Sequence, residues 1–176
     1  MSQTPGNVPA EALVGAAASK AGLVWVSAAG QRALPLWHVW HDAAVLVVVG
    51  GEEQPDPVPE GADVVEVRVP SKDNGSRLVT FRARVEHVRP DDDRWEASVF
   101  RLRGDRLNAL DADTMVERWA ASSRVLRFVP TGELLEKPGD YDSSSEAAPP
   151  PDTPATTVSW RPFHLGGRKR RRHRLG

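Results

Sequence analysis

Two periodicities divide the chain. In LVTFRARVEHV, residues 78–88, Val79, Phe81, Ala83, Val85 and His87 fall on one side of an extended backbone and Arg82, Arg84 and Glu86 on the other. That is the period of a strand with one face in a core and one in water. VVEVRV, residues 64–69, alternates in the same way. Between them PSKDNGSR carries Asn74-Gly75, whose tolerance of positive φ predicts a hairpin. AVLVVV, residues 44–49, does not alternate, and so β-branched a run predicts a strand buried on both faces. Ahead of it, LVWVS and ALPLWHVWH read as two strands joined by AAGQR, with His41-Asp42 as a tight connection onward.

Helical spacing governs the rest. PAEALVGAAASKA, residues 9–21, has a first-turn proline, an early Glu11 and an alanine-rich body, and Gly22 ends it. DRWEASVFRLRGDRLN spaces Trp95, Val99 and Leu102 as a helix of about three turns, with Pro90 and Asp91 to Asp93 as its capping cluster. DADTMVERWAAS predicts another short helix, and residues 124–130 with 133–135 a closing strand. Residues 50–63, GGEEQPDPVPEGAD, form a loop by their glycines, prolines and acids. Six short strands joined by tight turns, with few helices, argue for a mainly β fold, a small antiparallel barrel, and against a parallel α/β sheet. The barrel domain is expected over residues 9–138, with a flexible segment at 1–8. Residues 139–176, rich in proline and serine and then basic, form a disordered tail.

Composition narrows the chemistry. The absence of cysteine excludes disulfides, thiolate metal sites and a cysteine nucleophile. The start MSQTPGNVPAEALVG has no basic, apolar leader pattern and AAVLVVVG is too short to span a bilayer, so a cytoplasmic protein without a membrane span is expected. Up to Asp140 the chain has 21 acidic and 16 basic side chains; beyond it, 3 and 7, six of the basic ones in GRKRRRHRLG. An acidic body argues against a nucleic-acid-binding domain. In the tail, Trp160 and Phe163 of SWRPFHL suggest a piece that docks on the domain or its dimer mate.

Hydrolase and nucleotide signatures of the GxSxG, HExxH and GxxxxGK[ST] type are missing, and no catalytic residue can be named. In LPLWHVWHD, His38 and His41 are three apart, on opposite faces of a strand, which makes them a poor metal pair. Each face holds one tryptophan and one histidine. They read either as a packed aromatic wall or as the border of a groove in which Trp37 or Trp40 flanks a planar cofactor and His38 bonds its edge.

AGLVWVSAAGQRALPLWHVWHDAAVLVVVGG resembles the first three strands of the split β-barrel flavin proteins, the superfamily of pyridoxamine 5′-phosphate oxidases and deazaflavin-dependent reductases. In many members the second strand has the form PVWFVWDDG. The resemblance covers residues 9–136 and implies a six-stranded antiparallel split barrel, a homodimer, and FMN or a deazaflavin in grooves at the dimer interface, used for oxidoreduction. Family members commonly hold the cofactor phosphate with a lysine and an arginine after the third strand, where this chain has the acidic GEEQPDPVPEGAD. Ser71, Lys72, Ser76 and Arg77 of the hairpin offer a substitute, two cations and two hydroxyls around a turn. Two readings follow: a flavin- or deazaflavin-binding oxidoreductase, or a non-catalytic barrel kept as a ligand-binding or interaction module.

Overall fold

The computed structural model describes residues 9–71, 77–106 and 114–138. Helix α1 (Ala10–Ala18) leads into β1 (Leu23–Ser27), β2 (Leu34–Trp37), β3 (Val39–His41), β4 (Ala44–Val49), β5 (Val64–Pro70) and β6 (Arg77–Val88). Helices α2 (Trp95–Asp105) and α3 (Met115–Ser122) follow, and β7 (Arg124–Glu136) closes the domain. The strands pair antiparallel in the order β2-β1-β5-β6-β7-β4-β3. The two edge strands of that order are one stretch of chain interrupted only at His38, so the sheet curls into a nearly closed barrel.

The expected mainly β barrel is present, with one difference in count. The segment read as a single strand from 33 to 41 is two, because it changes partners at His38. Trp37 stands opposite Leu23 of β1, whereas Val39 stands opposite Leu46 of β4. A bend at that residue lets one segment serve both edges of the opening. The last strand runs unbroken through Arg124–Glu136, with register shifts against β6 near Phe81 and Ala83.

The uninterrupted apolar run in β4 has the predicted cause. Val45, Val47 and Val49 join the barrel interior with Val24, Val67 and Phe81. Leu46 and Val48 face the other way, into a second cluster with Leu102 of α2 and Trp119 of α3. One strand is thus shared by two cores, and all six of its residues are buried. On the far side of the barrel β1 has only one covered face. Val24 and Val26 are buried, while Leu23 and Trp25 remain 47% and 42% exposed.

The acidic cluster before α2 does a different job from the expected helix cap. The helix starts only at Trp95, and Asp92 accepts the backbone N–H of Arg89 at 2.7 Å. The short carboxylate closes the turn that leaves β6, a local bond that Asp makes readily. Among the described residues no helix is long and apolar enough to cross a membrane. The expectations for residues 1–8 and 139–176, including the docking of Trp160 and Phe163, lie outside the described residues.

Candidate functional site

The loop after β4 was legible only as acidic and irregular; the structure shows where its residues go. Gly50 and Gly51 both have positive φ, +79° and +60°. At Gly51 a side chain has no room, since a Cβ there would lie 2.7 Å from the carbonyl oxygen of Ser122 at the end of α3. Glycine alone permits both this backbone and this close approach. Ser123 Oγ donates to Gly50 O at 3.3 Å and fastens the same junction.

Beyond that turn Glu53 enters the protein. Its side chain is 1% exposed, and it accepts hydrogen bonds from Arg118 Nη1 at 2.7 Å, from the Trp119 indole Nε1 at 2.8 Å, and from Arg106 Nη1. Burial opposes ionisation of this carboxyl, but the three donors and the Arg106 charge outweigh it and hold the group below its usual range. Arg106 also lies over the Trp119 ring, 6.0 Å from its centroid. The acid that made the loop look hostile to an anion is therefore neutralised by arginines. Asp56 is likewise paired, with Arg124 Nη1 at 2.6 Å.

Gln54, next in the chain, joins this loop to the bend of the barrel. Its carboxamide accepts from the backbone N–H of Trp37 and donates to Trp37 O at 3.0 Å and Val48 O at 3.2 Å. The side chain acts as a peptide group would in a neighbouring strand, supplying partners where β2 leaves off. The result is a cleft of about 440 Å³ lined by Trp37, Glu52, Glu53, Gln54 and Arg106. Trp37 gives it an apolar wall, and Arg106, with 30% of its side chain exposed, gives it a cation.

The residues singled out from sequence are dispersed. Trp37 lines the cleft. Trp40 packs toward the barrel interior, its ring 3.3 Å from where a Cβ of Gly15 would stand. His38 is buried at the bend, with Nε2 3.0 Å from Ala18 O at the end of α1 and Nδ1 without a hydrogen-bond partner among the described residues. Burial holds its imidazole below the usual range, with the Ala18 bond opposing. Ser71 follows β5 and is half-buried. Arg77 opens β6, but its side chain, and the whole of Lys72 and Ser76, lie outside the described residues. Glu53, Gln54, Arg106 and Arg118 were missed from sequence. Their one advance signal was the glycine pair, which marks a backbone turned for close approach. No group of three or more His, Asp or Glu among the described residues is placed to hold a metal ion.

No protein-family model matches the chain, and no curated protein sequence does. Among solved structures it is similar to HutZ, the heme storage protein from Vibrio cholerae. That likeness has a TM-score of 0.51 at 14% identity, over 70% of this chain and 92% of HutZ. A weaker match is the FAD binding protein from Mycobacterium smegmatis, with a TM-score of 0.42 at 16% identity, over 66% of this chain and 87% of that one. At such identities what the chain shares with HutZ is its fold.

Proposed function

We propose that this barrel binds a flat, anionic cofactor of the flavin or deazaflavin class in the cleft beside Trp37, as a homodimer, and uses it for oxidoreduction. The observation that carries this reading is the pairing of the Trp37 wall with the partly exposed Arg106 in a cleft of about 440 Å³. A planar ring system gains rigid contact area from an indole at small entropic cost, and a guanidinium recognises phosphate or carboxylate oxygens in pairs. The residues present fit the ring and one anionic group. Lys72 and Arg77 are the further cations this reading assigns to the phosphate, with Ser71 and Ser76 beside them. Leu23 stands opposite Trp37 in the sheet, on the exposed face of β1. A second copy seated on that face would border the cofactor.

A specific observation favours the second reading, a barrel that binds a ligand without catalysis. Glu53 already occupies donors of both Arg106 and Arg118, so the cleft offers an incoming phosphate less positive charge than its arginines suggest. Titration of the purified chain with FMN and with a deazaflavin, followed by tryptophan fluorescence and by the cofactor's own absorption, tests binding. Saturable quenching that is lost in Trp37→Ala and weakened in the Lys72→Ala, Arg77→Ala double variant is expected. Silence toward both cofactors would remove the first reading. Reduction of the bound cofactor by a nicotinamide donor then separates enzyme from binding module. Hemin, run in parallel, tests whether the ligand named for HutZ is shared by its fold relative.

A further inference from the structure

The inward-facing row of β6 does not stop where the core stops. Ala83 is fully buried and Val85 half-buried, while His87 and Arg89, the next positions on that side, are exposed. β7 and β4 repeat the pattern: Phe128 and Leu126 lie in the interior opposite Val45 and Val47, and Arg124 comes next, opposite Val49. The pairing of Val88 with Val125 brings Arg89 alongside Arg124. Residues 60–63 form a rim beside these strand ends, and the half-open pocket between them measures about 620 Å³. It is the mouth of the barrel, a place where barrels commonly hold small ligands.

Three nitrogen-bearing side chains meet there with most of their donors unused. Arg124 directs Nη1 at Asp56 Oδ2 and at Val58 O, 2.6 and 3.0 Å away, and its other guanidinium nitrogens have no acceptor among the described residues. Arg89 uses its backbone N–H on Asp92, and its guanidinium has no partner among the described residues. The His87 ring has none either. Burial and the charges of Arg124 and Arg89 keep His87 below its usual range, and Asp92 and Asp56 offset only part of this. Arg124 is already paired with Asp56, so an incoming oxyanion would draw on its remaining donors together with those of Arg89 and His87. Glu60 and Asp63 line the same pocket and oppose an anion there, so the site relies on the directed donors of Arg89, Arg124 and His87 rather than on net charge.

We propose that the barrel mouth is a binding site for the oxyanion group, carboxylate or phosphate, of a small molecule, held by Arg89, Arg124 and His87 over Val85. The site shares no lining residue with the Trp37 cleft, so it stands whether or not a flavin binds there. The test follows the His87 imidazole resonances of the full chain by NMR at constant pH and ionic strength, assigned by their loss in His87→Gln. Inorganic phosphate and succinate are added separately, with chloride as the control. A saturable shift toward the protonated position is expected with phosphate, with succinate or with both, and the comparison identifies the oxyanion. Arg89→Gln, a change at an exposed side chain, is expected to weaken that affinity about tenfold, the loss of one charge-assisted contact, with cofactor binding at Trp37 unchanged. No saturable shift with either anion, an equal response to chloride, or an unaltered affinity in Arg89→Gln would overturn the proposal.

Discussion

At the turn between β3 and β4, Asp42 and Ala43 both have positive φ, 48° and 54°. That is the backbone of the tight hairpin turns for which Asn-Gly is favoured, and alanine is poorly suited to it because its Cβ crowds the following carbonyl. Arg127 compensates. Its Nη1 and Nη2 donate to Asp42 Oδ2 and Asp42 O, both at 2.9 Å, and hold the turn from across the sheet. Ala43→Gly removes the crowding but adds freedom to the unfolded chain, so a net gain of about 0.5–1 kcal/mol is expected. Denaturant midpoints check it; a loss of stability would mean that Ala43 makes contacts outweighing its strain. His38 contributes to the response to acid between pH 7 and pH 5. Its folded value lies below the ordinary 6.5, so the unfolded chain binds the extra proton first. The stability it contributes is complete above about pH 6.5 and declines as pH falls below that, by at most about 1.4 kcal/mol per pH unit. His87 is displaced the same way and adds to the slope. His38→Gln, compared with the parent by urea unfolding between pH 7 and pH 5, is therefore expected to flatten the curve in part, and an unchanged slope would assign the effect elsewhere.

At the scale of elements, strands were readable where the pattern of burial was uniform along them, on one face or on both. The alternation in β5 and β6 and the continuous run in β4 are direct imprints of one covered face and two covered faces. The division at His38 was hidden because Trp37 and Val39 carry the same strand pattern on both sides of a change of partner. The cleft was hidden for another reason. Glu53, Arg106 and Arg118 are scattered along the chain, and an acid inside a proline-rich loop looks solvated until the helices that cover it are in place. Gly51 tests how much this junction matters. Gly51→Ala forces a Cβ against Ser122 O at a positive φ and is expected to cost about 1–3 kcal/mol. Gly50→Ala meets nothing within 4 Å and is expected to cost only the conformational part, near 1 kcal/mol. Exchange of the Trp119 indole proton, which Glu53 protects, is expected to quicken in the first variant and hold steady in the second; equal behaviour would show that the loop does not seat Glu53 through Gly51.

For the whole molecule, a barrel distributes burial unevenly. The side of β4, β3 and β7 is covered by α2 and α3, and among the described residues no helix packs on the outer face of β1 and β2. Leu23 and Trp25 stand in the open there, with Pro35 exposed opposite Trp25 and Trp37 half-buried opposite Leu23. These four form one apolar surface, since each pair is directly opposed across β1 and β2 and Leu23 and Trp25 share a face of the strand. In the proposed homodimer, association of two copies through this surface would cover it next to Trp37, and oligomeric state would then be tied to ligand affinity. Trp25→Glu places a charge in the middle of it while leaving Val24 and Val26 in the core. The expected outcome is a monomer by light scattering with its fold intact by circular dichroism, a melting temperature that no longer rises with protein concentration, and weaker cofactor binding at Trp37. If the parent chain is already monomeric at micromolar concentration, the surface does not mediate the proposed homodimer and any cofactor would have to be held by one barrel alone.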